Sequence, residues 1–170
     1  MSVNFDEGGC QTKSNKRTFG LCDDPHPAMK PAYIDESNGS RWIAIVENQR
    51  LQQITFTAID NCIKIVGQND KSKQRCDGML TYDSTVIFVE LKDRNARGNA
   101  WVEDAIPQLK SSIESFEDTE MANRFNKKHA YISNKQHPQF KASQQIRMND
   151  FFKETNYVLH VRGRIDLQEI

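Results

Sequence analysis

The residues whose types and spacing best suit chemistry are Asp77, Glu90 and Lys92, in the segments Cys76-Asp77-Gly78 and Phe88-Val89-Glu90-Leu91-Lys92. Along an extended strand, residues i and i+2 share a face, so Glu90 and Lys92 project together while Val89 and Leu91 point the other way. The stretches 75–82 and 85–92 read as a hairpin about Asp83-Ser84. With a two-residue turn, Tyr82 faces Thr85, and counting back along both strands brings Asp77 opposite Glu90, with Cβ atoms roughly 5 Å apart. Two like charges placed so destabilise a sheet unless something compensates. A hard divalent cation does so: Mg²⁺ takes carboxylate oxygens at about 2 Å and fills its other positions with water and phosphate. Such an ion polarises a phosphate and acidifies a bound water. Lys92, on the same face, is placed to orient that water or to stabilise charge developing on phosphate oxygens. A slip of one residue in register would separate the acids and remove the site. The plainer alternative is a strand-end ion pair of Asp77 or Glu90 with Lys92 or Arg75.

The elements that must position these residues follow from pattern. The Ser37-Asn38-Gly39-Ser40 stretch offers N-caps for a helix over 41–52, with Ile43, Glu47 and Leu51 on one ridge. The run Ile54 to Ile59 is β-branched and aromatic and reads as a strand, which 62–66 extends or bulges before a polar loop over 67–74. The second hairpin strand is apolar on both faces up to Glu90, as a central, covered strand is. After the loop 93–99, Val102, Ile106, Leu109, Ile113 and Phe116 form the stripe of an amphipathic helix, which Pro107 should kink or begin. A strand at 130–133, a helix at 143–155 with Ile146, Phe151 and Phe152 as its apolar side, and a last strand with Tyr157, Leu159 and Val161 complete the order. The reading is α-β-β-β-α-β-α-β, an α/β fold with a central mixed sheet flanked by helices. Residues 1–38, polar and carrying three prolines between Pro25 and Pro31, read as a loosely packed arm ahead of one domain over 39–170.

The order Asp77-Gly78, then Glu90-Leu91-Lys92, within αβββαβ, resembles the PD-(D/E)xK, or restriction-endonuclease-like, nuclease superfamily. The resemblance spans about residues 41–135, with Cys76 in place of the proline that names the motif. It implies a Mg²⁺- or Mn²⁺-dependent phosphodiesterase acting most plausibly on DNA, with Asp77, Glu90 and the Leu91 carbonyl as metal ligands and Lys92 as the catalytic lysine. It further implies an acid on the first helix, for which Glu47 is the candidate, and a polar residue on the helix after the lysine, where Gln108 falls. By analogy with small relatives, a homodimer is possible. Arg94, Arg97 and Lys135 are candidates for phosphate contacts. Each has a plainer alternative: Glu47 pairing with Arg50, Gln108 on an ordinary polar face, the loop bases simply solvated. Asp60 reads as a turn-former.

Composition neither advertises nor forbids this. Lysine plus arginine equals aspartate plus glutamate at 23 each, so no global basic charge marks nucleic-acid binding, and only a local groove could supply it. The balance also keeps open a nuclease fold without turnover, acting as an interaction or immunity partner. No apolar run approaches the roughly eighteen residues of a membrane span. The first residues, MSVNFDEGGC, lack a signal-peptide core, which points to the cytoplasm and hence to reduced thiols at Cys10, Cys22, Cys62 and Cys76. Cys10, Cys22 and His26 match no usual zinc spacing. His129, His137 and His160 form no recognisable ligand spacing or triad, and neither a nucleophile elbow nor a phosphate-binding glycine loop is present.

Overall fold

Short runs such as Phe19-Gly20-Leu21-Cys22 and Ala44-Ile45-Val46 are too brief to make stable helices by themselves. In the computed structural model, which describes residues 3–25, 27–65 and 74–170, both runs are strands. In chain order the elements are β1 (Gln11–Ser14), β2 (Thr18–Cys22), β3 (Tyr33–Asp35), β4 (Ala44–Glu47), β5 (Ile54–Ala58), β6 (Gly78–Tyr82), β7 (Thr85–Lys92), α1 (Ala100–Glu117), β8 (Lys127–Asn134), α2 (Gln144–Thr155), β9 (Val158–Val161) and β10 (Arg164–Asp166). They build a six-stranded sheet in the order β1-β5-β6-β7-β8-β9 and a four-stranded sheet in the order β10-β4-β2-β3.

The large sheet is antiparallel from β1 to β7 and parallel from β7 through β8 to β9, because α1 and α2 form the crossovers that parallel neighbours require. Its two faces bury different layers. Met79, Val86, Phe88, Ala130, Ile132 and Leu159 pack with Val102, Leu109, Phe116 and Phe151 of the helices. Leu80, Ile87, Val89, Leu91 and Tyr131 pack with Phe19, Leu21, Val46 and Ile165 of the small sheet. β7 is therefore covered on both sides, and its run Val86-Ile87-Phe88-Val89 is fully buried. At about 25 cal/mol per Å² of apolar surface, such side chains each contribute on the order of 2 kcal/mol.

The mixed α/β class holds, but the layering differs from expectation: both helices cover one face, and a second sheet covers the other. The segment 1–38 is not a loose arm. It supplies β1 to β3, and Phe5, Phe19 and Leu21 are buried in it, because short apolar runs between polar turns suffice for strands docked on an existing sheet. No helix spans 41–52. Ala44 and Val46 are buried while Ile45 and Glu47 are partly exposed, a period of two rather than 3.6. Buried Asn48 ends β4: its side-chain N–H groups donate to the carbonyls of Lys16 (3.1 Å) and Gln52 (2.8 Å), and Leu51 adopts φ +54°. Residues 60–63 turn instead of extending β5, and most of the polar loop expected at 67–74 lies outside the described residues.

The cysteines divide. Cys22 and Cys76 are buried free thiols, whereas Cys10 and Cys62 form a disulfide across a sequence separation of 52, contrary to the expectation of four thiols. In the chain-entropy view, closing a loop of that length contributes on the order of 4 kcal/mol. α1 runs through Pro107 without interruption. In α2 only Phe151 of the expected apolar side is buried; Ile146 and Phe152 face solvent, because β9 beneath the helix is a short edge strand that covers a single face. No helix is long and apolar enough to cross a membrane among the described residues.

Candidate metal centre

The hairpin fixes the site. Asp83 takes φ +48°, the left-handed backbone that primed two-residue turns use, and Tyr82 pairs with Thr85. The ladder runs on to Gly78 opposite Val89, so one further step sets Asp77 opposite Glu90, in the register read from the sequence. Gly78 leaves no room for a side chain: an added Cβ would lie 2.4 Å from the Phe56 ring and 2.7 Å from the Thr57 carbonyl oxygen. The segment before it is anchored to α1, since the Cys76 N–H donates to the Ser112 hydroxyl at 2.9 Å.

Asp77 and Glu90 are 6% and 3% exposed, a degree of burial that charged side chains reach only with partners. The Leu91 N–H donates to Asp77 Oδ2 at 2.6 Å, and the Asp77 and Glu90 carboxyls are hydrogen-bonded to each other. Burial raises both acids. Glu90 stands well above the usual carboxylate range, its burial reinforced by the charge of Asp77. Asp77 is raised less, because hydrogen bonds from Glu90 and Leu91 and the nearby Lys92 ammonium oppose the desolvation. Glu90 Oε2 is buried with no hydrogen-bond partner. Lys92 Nζ donates to Gln108 Oε1 at 2.8 Å, which ties the amine to α1 on the face it shares with Glu90.

A third acid arrives from the small sheet. Asp23 directly follows β2, is half-buried, and feels the charge of Asp77. Burial, then the charges of Asp77, Asp60 and Asp24, push it up to about 7. Asp23, Asp24, Asp60, Leu91 and Asp93 line an open cavity of about 310 Å³ on the small-sheet side. Asp60 is steadied by Arg75 at 3.6 Å. Among the described residues no three His, Cys, Asp or Glu side chains form a ready-made metal-binding group.

Of the residues read from the sequence, the structure brings together Asp77, Glu90, Leu91, Lys92 and Gln108. The contribution seen from Leu91 is its N–H, not its carbonyl. Glu47 is elsewhere: it lies on β4, ion-paired with Arg164 of β10 and accepting from the Thr18 hydroxyl, because the helix meant to carry it does not exist. Arg94 pairs with Asp104 at 2.7 Å and Lys135 sits 3.9 Å from Asp93, while Arg97 is exposed and has no ion pair among the described residues. Asp23 and Ser112 were not anticipated. The signal for Asp23 was present, a short apolar run (Phe19 to Cys22) ending in acids just as β7 does, but the surrounding glycines and prolines masked it.

Compared with known protein families, curated proteins and solved structures, the chain matches none.

Proposed function

We propose that this protein is a divalent-metal-dependent nuclease of the PD-(D/E)xK type, hydrolysing phosphodiester bonds with DNA as its substrate. The observation that carries this reading is the buried Asp77–Glu90 carboxyl pair with Lys92 beside it, on the face of the hairpin that packs against α1. Two carboxyls pressed together out of water, one oxygen lacking any partner, form a costly arrangement that a small hard cation relieves. The donor set, all oxygen, suits Mg²⁺ or Mn²⁺. When bound, that ion supplies polarisation of the scissile phosphate and a more acidic water. Asp77 and Glu90 hold it, and Leu91 N–H keeps Asp77 in orientation. Lys92 sits where an amine can orient the attacking water or stabilise charge on the phosphate oxygens, and Gln108 fixes the direction of that amine. Arg94 and Lys135 are held only by solvent-exposed pairs worth about 0–1 kcal/mol, so a phosphate can displace their partners. A homodimer would supply a second such site.

The test is incubation with plasmid, linear and single-stranded DNA plus Mg²⁺ or Mn²⁺, beside Glu90→Ala and Lys92→Ala. Cleavage by the unaltered protein and its loss in both variants is the expected result. A second reading, a nuclease fold that binds a partner without turnover, draws on the acid-rich mouth formed by Asp24, Asp60 and Asp93. It requires no cleavage under any of these conditions.

A further inference from the structure

We infer that the Cys10–Cys62 disulfide is a redox-responsive clamp on the segment that carries Asp77, closed when oxidised and opened by a dithiol. As a control on the cation site the clamp rests on the metal-dependent reading above, but its opening is observable without any metal.

Cys62 lies in the turn 60–63 that follows β5, and this turn is bonded to the segment bearing Asp77. Asp77 stands one step beyond the last pair of the β6–β7 ladder, and its carbonyl accepts from the Ile59 N–H at 2.9 Å. The Cys76 carbonyl accepts from the Asp60 N–H at 3.2 Å. The Arg75 guanidinium donates to the Ile63 carbonyl at 3.1 Å and pairs with Asp60 at 3.6 Å. Three successive residues, Arg75 to Asp77, are thus held by residues 59–63. On the other side of the bond, Cys10 leads into β1, a four-residue strand at the edge of the large sheet that pairs with β5. Ahead of it, Phe5 packs edge-on to Phe116 of α1 with centroids 5.3 Å apart. Short edge strands and surface turns open locally far more readily than a core does. The disulfide ties two such elements together, so that neither opens alone.

The redox response is confined to this pair. Cys22 and Cys76 are buried, and burial pushes both thiols up, Cys22 to about 11, so neither supplies an attacking thiolate. Cys62 is partly exposed, which leaves its sulfur open to an incoming thiolate. That thiolate, from a dithiol, attacks Cys62 Sγ; the disulfide breaks and Cys10 leaves as a thiolate. The second sulfur of the dithiol then attacks the mixed disulfide, closes a disulfide within the reductant and releases Cys62. Two electrons enter the protein, and the two protons of the dithiol end on Cys10 and Cys62.

The experiment is amide hydrogen exchange at neutral pH on the whole protein in three states: oxidised, reduced by millimolar dithiothreitol that is then removed under argon, and reoxidised. Cys10→Ser is run beside them, and Mn²⁺ is titrated calorimetrically into each sample. The Ile59 and Asp60 amides should exchange about tenfold faster or more in the reduced protein and in Cys10→Ser, while Val86 to Val89 stay within about twofold. Reoxidation should restore the slow rates. Mn²⁺ affinity should fall about fivefold or more on reduction, as the competent arrangement of Asp77 becomes less populated. A bond that survives dithiothreitol in the folded protein, or Ile59 and Asp60 rates unchanged by reduction, overturns the inference. So does equal acceleration at Val86 to Val89, which marks the bond as merely structural, and so does Mn²⁺ affinity identical in both redox states. If Cys10→Ser does not fold, the reduced unaltered protein carries the same test. Faster Ile59 and Asp60 exchange with no Mn²⁺ uptake in any state supports the clamp and defeats the metal-dependent reading instead.

Discussion

Two groups of titratable side chains, one buried and one half-buried, sit on the same large sheet and teach opposite lessons. At the C-terminal end of β7, Asp77 and Glu90 are buried side by side, with an amine at hand and one oxygen unpartnered. On β8 and β9, His129 Nδ1 and His160 Nε2 lie 2.9 Å apart, and the His160 ring stacks on Tyr131 with centroids separated by 4.3 Å. The histidines satisfy each other through one shared hydrogen bond and a flat packing contact, without needing an ion. The acids are like charges pressed together by burial, and Glu90 Oε2 is left without a partner. Burial alone is therefore no mark of a site, nor is one orphaned atom, since the Tyr131 hydroxyl is buried without a partner too; what separates the clusters is the gathering of like-charged acids with an amine beside them.

The largest expected effect tests that separation directly. Glu90→Ala and Lys92→Ala should each lower DNA cleavage by about a hundredfold or more, while His160→Gln leaves it within about twofold, as measured by plasmid nicking in Mg²⁺. Equal losses in all three would erase the distinction. Gln108→Ala comes next: it frees the Lys92 amine from α1 and should cost about tenfold, the scale of a lost supporting contact, with kcat falling more than KM rises.

Stability against pH separates the clusters without any activity assay. Asp23 titrates near 7 in the folded state against about 4 when unfolded, so its contribution is fully present below pH 4 and is lost as pH rises toward 7. Glu90, raised as well, acts in the same sense. His160, pushed down to about 4 chiefly by burial and then by His129 and Arg162, acts in reverse. Its contribution is present above the ordinary histidine value of about 6.5 and is lost as pH falls toward 4. In metal-free buffer between pH 4 and 7, Asp23→Asn should therefore remove a decline in melting temperature with rising pH. His160→Gln should remove a rise with increasing pH over the same range. Slopes unchanged in either variant would show that the group does not titrate as its surroundings dictate. The smallest effect belongs to Arg97→Ala, which should weaken DNA binding a few-fold and reduce its salt dependence by about one phosphate contact.

What the sequence disclosed, and what it hid, follows the range of the interactions involved. The Asp77–Glu90 register was legible because a two-residue turn and a strand period of two are local and rigid, and Pro107 did not conceal the helix that carries Gln108. The strands of the small sheet were not legible. β2, β3 and β4 are three to five residues long and are stabilised by docking, not by their own propensity. Glu47 was misplaced for that reason, and Asp23 was overlooked for the same one. The Cys10–Cys62 bond joins segments whose proximity only the folded sheet creates, so spacing offered no hint of it.

The most direct measurement of the central claim is titration of Mn²⁺ into the unaltered protein and Glu90→Gln at neutral pH, followed by calorimetry. Binding in the former that is weakened at least tenfold in the latter, with the fold retained, is the outcome the acid pair requires. Absence of binding in the unaltered protein, or the same affinity after Glu90 is replaced, would contradict a cation role for these carboxylates.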